Sequence, residues 1–389
     1  MDQFTAPSYT SVPPGASRAV GGLSVLRWAV AAVLIFAAML AGLITLWLIG
    51  YETGLVPFLA GLIAATIPVP VYVTLVLWLD RYEPEPLWML AMAFFWGALV
   101  AVFFAIIINS LGVFVVRSLS DENTSRFFGM VFSAPVVEES AKALVLVVLF
   151  FWRRDEFDGV TDGIVYAAMV GLGFAMTENV KYYGVAVMEH NAIGVFIVRG
   201  LFSPFAHPLF TGMTGVGLGL AAQSDKRFEK FAVPAVGFVA AVLFHAGWNA
   251  SAFLTGQFEN GAFVLLTYFL VMMPTFFVML VVIVFSLRRE GRILREHLRA
   301  DVSTGLLPES EYACLCSVTG RMAASYSALA RGGFGHWRAR AQLNRAASEL
   351  AFHRARAARG INPRGTTNTE REQSYVRQIY DLRLRLGGK

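Results

Sequence analysis

The residues in this chain best suited to chemistry sit where chemistry is costly. The stretch APVVEESAKALVLVVLFFW, residues 134–152, is apolar enough to cross a bilayer, yet it holds Glu138, Glu139 and Lys142. Placing an ionisable group at membrane depth costs roughly 2.5–3.5 kcal/mol even on insertion scales, so such residues normally serve a site or a pair. Glu138 and Lys142 are four apart and share a helix face, with Glu139 turned about 100° away. Three other apolar runs carry similar groups: Glu178 with Asn179, His207 beside Pro208, and His245 with Asn249 one helical turn on. A carboxylate in a poorly solvated cavity can act as general base on water. Histidine and asparagine can donate to a developing oxyanion, and two histidines with a glutamate can hold a metal with one position open. These parts suit hydrolysis of an amide bond.

Each group also has a plainer reading. Glu138 and Lys142 could be an ion pair that holds helices together, Glu178 and Asn179 an interhelical contact, and His207 a donor to a carbonyl freed by a kink. Depth argues for the joint reading. Counted from the inner end of each run, Glu138, Glu178, His207 and His245 lie about 13, 18, 15 and 14 residues in, which at about 1.5 Å per residue puts them within roughly 8 Å of one level. No H-E-x-x-H and no G-x-S-x-G occurs, so a zincin helix and a serine elbow are not the route.

The elements that must position these groups follow from composition. Hydrophobic residues make up 56% of 389 and charged residues 15%, far below the charged quarter of soluble domains. Mean hydropathy is +0.58. Apolar runs near 28–49, 55–79, 87–116, 127–151, 160–187, 193–222, 231–254 and 262–287 predict an all-α, polytopic membrane helix bundle of about eight transmembrane helices. Residues 1–27, rich in Pro, Ser, Thr and Gly, are expected to be disordered, residues 28–287 to form the membrane domain, and residues 288–389 an Arg-rich, helical cytoplasmic tail, solvated or lipid-contacting. Pro204 and Pro208 are expected to break the sixth run, and the glycines at 171, 173, 212, 215, 217 and 219 to let helices approach closely.

Charge is unevenly placed. From Arg288 onward there are 19 Lys and Arg against 9 Asp and Glu, and the first 287 residues hold 13 against 18. With the amino terminus inside, the inner loops hold Arg81, Arg153, Arg154, Lys226, Arg227 and Lys230 and the outer loops only Arg117 and Arg126, so both termini are expected in the cytoplasm of a multi-pass plasma-membrane protein. The basic tail suits an anionic lipid surface, and no motif supports nucleic acid. Cys314 and Cys316 read as two reduced thiols, and His190, His297, His336 and His353 as surface histidines. DRYEPEP, residues 80–86, reads as a rigid turn between spans rather than a catalytic loop, its acids facing the interface.

Taken in order, WLDRYEPEPLWML (78–90), the E-E-x-x-K of Glu138, Glu139 and Lys142, and the F-x-x-x-E-N of Phe174, Glu178 and Asn179 resemble the PrsW-type intramembrane proteases. HPLFTGMTG from His207 and the H-x-x-x-N of His245 and Asn249 extend the likeness, over roughly residues 78–255. This group is distantly related to the CAAX-prenyl and bacteriocin-processing membrane proteases. The resemblance implies a site of Glu138, Glu139, Glu178, His207, His245 and Asn249. In it Glu138 is the base for water, Glu139 its support, His245 and Asn249 the oxyanion holders, and His207 completes the site. Glu178 stands where the prenyl-protease relatives have histidine. Either Zn2+ on Glu178, His207 and His245 or no metal fits the family, and the expected substrate is a membrane-anchored regulator such as an anti-sigma factor. The rival readings are a proton- or ion-coupled transporter using the same Glu/His cluster, which inverted repeats would favour, and a catalytically silent sensor acting through its tail.

Overall fold

The computed structural model describes residues 22–360, except 155, and residues 366–387. The expectation of disorder over 1–27 falls on residues 1–21, which lie outside this range, and on 22–27, which already belong to the first helix, Gly22–Thr53. Among the described residues there are helices and no strands. Seven helices among the described residues are long and apolar enough to cross a membrane: Trp28–Thr53, Leu55–Leu79, Leu87–Leu119, Val160–Met188, Ala192–Gln223, Glu229–Phe258 and Ala262–Ser303. The eighth expected span, fourth in chain order, runs from Glu122–Phe127 through a wide turn at Phe128–Ser133 into Ala134–Trp152. Its Glu138, Glu139 and Lys142 set it apart from the other seven.

The fifth span, Val160–Met188, is the hub. Within its apolar window 94% of residues are buried inside the protein, against 11–33% for the other six. Small residues make this possible. A Cβ on Gly97 would stand 2.1 Å from the Val170 carbonyl oxygen, and one on Gly173 would stand 2.0 Å from that of Phe94. Toward the sixth span, Gly163 and Gly215 press together so closely that a Cβ on either would lie 2.1 Å from the other's carbonyl oxygen. The third and sixth spans thus touch the fifth backbone to backbone, which the glycine spacing anticipates.

The sixth span breaks where its sequence says it should, with one refinement. Helix Ala192–Phe196 widens at Ile197–Phe202, stops at Ser203–Phe205, and resumes as Ala206–Gln223. Pro204 lies in the break, whereas Pro208 sits in the first turn of the resumed helix, where its missing N–H has no helical partner to lose. His207 therefore enters the bundle at a helix start.

The last span does not end at residue 287. Helix Met273–His297 continues into the tail, which is a folded unit rather than a solvated appendage. Helices Arg299–Ser303, Glu309–Leu315, Val318–Ala358 (bent at Gly332 and Gly333) and Asn368–Arg385 enclose an apolar core. Leu294, Leu298, Leu307, Leu315, Leu343, Leu350 and Ile379 are wholly buried there, and Tyr82 of the DRYEPEP turn joins them. His353, expected on the surface, is buried, with its Nε2 3.0 Å from the Asn368 carbonyl oxygen. Periodicity alone could not reveal this core, because its layers come from four helices and the segments between them, spread over about ninety residues.

The DRYEPEP turn is clamped between bundle and tail, and its acids point inward, not to the interface. Asp80 accepts the Glu85 N–H at 2.7 Å, and Glu85 accepts the Tyr166 hydroxyl at 2.5 Å. Burial pushes both carboxyls well above the usual carboxylate range. Arg356 of the tail bridges Glu83 at 3.2 Å and Asp158 at 2.7 Å. Burial works against its charge, but these two carboxylates outweigh that and hold it protonated.

Candidate functional site

Five of the six expected residues, and Lys142 with them, meet in one buried cluster built by four spans. The fourth helix brings Glu138, Glu139 and Lys142, and the fifth brings Glu178. The sixth supplies His207 at its restart and the seventh His245. Lys142 is the centre. Its ammonium lies 2.9 Å from Glu139 Oε1, 3.5 Å from Glu138 Oε2 and 3.1 Å from His207 Nδ1, over the Phe174 ring at 3.7 Å. The face shared by Glu138 and Lys142 is thus real, but the closer carboxylate is Glu139, three residues away.

The hydrogen-bond chemistry fixes the imidazoles. An ammonium has no lone pair, so Lys142 donates to His207 Nδ1, and His207 Nε2–H then donates to Glu178 at 2.9 Å. His245 Nδ1–H donates to Glu139 Oε1 at 3.0 Å, which leaves its Nε2 as an acceptor 3.8 Å from Glu138. The Phe210 ring stacks on His245, and Thr211 donates to the second oxygen of Glu139 at 2.9 Å. Glu178 is held from outside the cluster: Arg199 donates to it at 2.5 Å and to Asn179 Oδ1 at 2.6 Å while lying over the Tyr182 ring. Glu178 and Arg199 keep about a fifth of their side chains exposed, whereas Glu139 and Lys142 keep none, so the cluster opens on the Arg199 side.

Two expectations change. Asn249, cast as an oxyanion holder, donates its amide to the Met130 carbonyl at 2.9 Å and so ties the seventh span to the fourth. Glu178, cast as a metal ligand, occupies the far nitrogen of His207 instead. Among the described residues, the group that could hold a metal ion is Glu138, His207 and His245, one ligand atom of each lying within 4.8 Å of the others.

The donor set fits such an ion. Two imidazoles and a carboxylate form a three-ligand set of the kind that leaves a fourth position open. Each imidazole has a carboxylate on its other nitrogen, Glu178 for His207 and Glu139 for His245, an arrangement that orients ligating histidines and raises their basicity. Lys142 stands at His207 Nδ1, the nitrogen that Glu178 leaves free, so an ion bound there would take over contacts the ammonium makes here.

Arg199 and Thr211 went unread in the sequence. Arg199 was visible as a charge inside an apolar run, the same signal that marked Glu138, and Thr211 lies one turn after His207 on the same face.

Residues 85–279 match the PrsW family, described as intramembrane metalloproteases. The chain belongs to that family. Among its relatives, the protease PrsW of Geobacillus kaustophilus (strain HTA426) is 33% identical over 151 residues, 38% of this chain and 60% of the relative. That of Bacillus subtilis (strain 168) is 35% identical over 155 residues, 39% of this chain and 65% of the relative. That of Oceanobacillus iheyensis is 30% identical over 148 residues, covering 38% and 62%. The aligned part therefore spans less than two thirds of these PrsW relatives, and no solved structure matches the chain.

Proposed function

We propose that this PrsW-family protein is an intramembrane endopeptidase that hydrolyses peptide bonds of membrane-anchored regulatory proteins, anti-sigma-factor-like in kind. The observation that carries this reading is the gathering of Glu138, His207 and His245, with one donor atom of each within 4.8 Å of the others and a carboxylate behind each histidine. Glu138 accepts a proton from water as the water oxygen adds to the scissile carbonyl carbon. It returns that proton to the amide nitrogen as the C–N bond breaks. Glu139 orients His245, Glu178 orients His207, and Lys142 offers an N–H to the oxyanion that forms between them. Asn249 braces the fourth helix at Met130. Were a zinc ion held by Glu138, His207 and His245, Glu138 would serve as a ligand instead of as the free base, and the ion would supply the acidified water and the Lewis-acid polarisation of the carbonyl. The substrate enters from the side where Glu178 and Arg199 are exposed. Both termini face the cytoplasm across the plasma membrane, in keeping with the loop charges.

The test is a search of the membrane fraction for new protein amino termini, comparing wild type with Glu138→Gln/Glu139→Gln at equal abundance. Termini in or beside transmembrane segments that vanish in the variant support proteolysis and name a substrate. An unchanged profile with well-folded wild type would overturn it in favour of a carrier using the same cluster.

A further inference from the structure

The tail core leaves one face uncovered. Along Val318–Ala358, the side chains of Met322, Tyr326 and Leu329 recur at i, i+4 and i+7 and are exposed, Tyr326 by 68%. Phe334 and Trp337 follow at the bend and stack on each other at 5.1 Å, Phe334 also 68% exposed. A continuous run of exposed bulky apolar and aromatic side chains along one helix marks a contact surface.

Its location says what it meets. Met322 Sδ lies 3.6 Å from Arg81 Nη1, and Arg321 beside it donates to the carbonyls of Arg81 and Tyr82. Arg81 stands two residues past the end of the second span, its guanidinium 3.4 Å over Trp78 in the span's last turn. The apolar stripe therefore begins at the bilayer boundary, continuous with an interfacial Trp/Arg pair. Its charge is one-sided as well. Arg331 and Arg338 are exposed along it, whereas Arg321 and Arg340 are buried and Arg340 and Arg345 pair with Glu311 and Glu349. A cleft beside Trp337 is lined by His336, Arg338, Gln342 and Arg385, all able to donate to a phosphate oxygen.

We propose that this face of the tail lies on the adjoining bilayer leaflet and selects anionic lipid. Tyr326, Phe334 and Trp337 sit among headgroups, and Arg331 and Arg338 meet lipid phosphates. Aromatic side chains prefer that depth, and each Arg near an anionic surface adds attraction that neutral lipid lacks. Because helix Met273–His297 runs unbroken from bundle to tail, lipid charge then bears on how the tail sits against the DRYEPEP turn.

The test uses the full chain in nanodiscs, with the photo-crosslinking residue p-benzoylphenylalanine in place of Tyr326, Phe334 or, as control, the exposed Thr369. Illumination in discs containing phosphatidylglycerol is expected to give lipid adducts at 326 and 334, several-fold more than in phosphatidylcholine discs, and none at 369. Arg331→Glu/Arg338→Glu is expected to remove the excess in the anionic discs and leave the neutral-lipid yield unchanged. Adducts joining two protein chains, or no lipid adduct in either disc, would overturn the proposal. So would equal yields in both lipids.

Discussion

Arg199→Ala is the substitution that most sharply examines the site. In the wild type the guanidinium donates to Glu178 and Asn179 and stacks on Tyr182. Without it, Glu178 keeps one partner, His207 Nε2 at 2.9 Å. Removing one member of a fully buried pair costs about 3–5 kcal/mol, and an exposed pair is worth about 0–1 kcal/mol. With each side chain 21% exposed, the pair belongs nearer the buried limit, at about 2–4 kcal/mol of stability. The effect on turnover comes through His207, whose tautomer and angle depend on Glu178. Losing a partner of that kind lowers activity about 10–100-fold, which is roughly 1.4–2.7 kcal/mol in the barrier. The assay is cleavage of the membrane-anchored substrate found by the terminus search, with purified full chain in nanodiscs and rates taken per folded molecule. Arg199→Lys keeps the charge but not the fork that reaches both Glu178 and Asn179, so an intermediate rate is expected. Asn179→Ala, which leaves the Glu178 contact in place, should lose only a few-fold. If Arg199→Ala turns over within twofold of wild type per folded molecule, Glu178 does not depend on Arg199 and the orienting role is wrong.

Lys142→Met should destabilise the bundle by about 3–5 kcal/mol, because it leaves the Glu139 carboxylate with only Thr211 and His245 as donors and without its cation in a site closed to solvent. Adding Glu139→Gln should restore part of the melting temperature, and a Lys142→Met protein as stable as wild type would contradict the charge balance described. Gly215→Val should cost about 1–3 kcal/mol or more, since its Cβ would stand 2.1 Å from the Gly163 carbonyl, whereas Gly247→Ala, with open space around it, should be tolerated. Equal melting temperatures for these two variants would refute the close approach of the fifth and sixth spans. Glu85 gives a pH signature. Its folded pKa is raised by burial, and the nearby Asp162 and Asp80 add to the rise, so the fold binds a proton that the unfolded chain releases from about pH 4.3 upward. The stability it contributes is full below that value and falls as pH rises through the folded pKa. Tail release by limited proteolysis should grow accordingly, and Glu85→Gln, which still accepts from Tyr166, should flatten the trend. The same slope in both proteins would show that Glu85 is not the titrating group.

Much of the molecule is legible in one dimension. Length and hydropathy determine the spans, because a bilayer demands about twenty apolar residues however they later pack. The cost of charge in hydrocarbon singled out Glu138, Glu139, Glu178, His207 and His245, and their common depth brought them together before any coordinate did. Partner choice was beyond reach. Which nitrogen of His207 faces Lys142, why Glu178 backs that histidine rather than a metal, and why Asn249 turns to Met130 depend on helix rotations of a few tens of degrees. Glycine contacts among the third, fifth, sixth and seventh spans, the last through Gly217 and Gly237, limit those rotations. The tail shows the same division. Its Arg content spoke of a polar surface, while its core of leucines drawn from four helices and the segments between them, and the clamp of Arg356 on Glu83 and Asp158, exist only once segments far apart in sequence share one volume. Sequence fixes what each segment must avoid, water or lipid; tertiary packing decides which atoms then face each other, because that choice rests on contacts between segments distant in the chain.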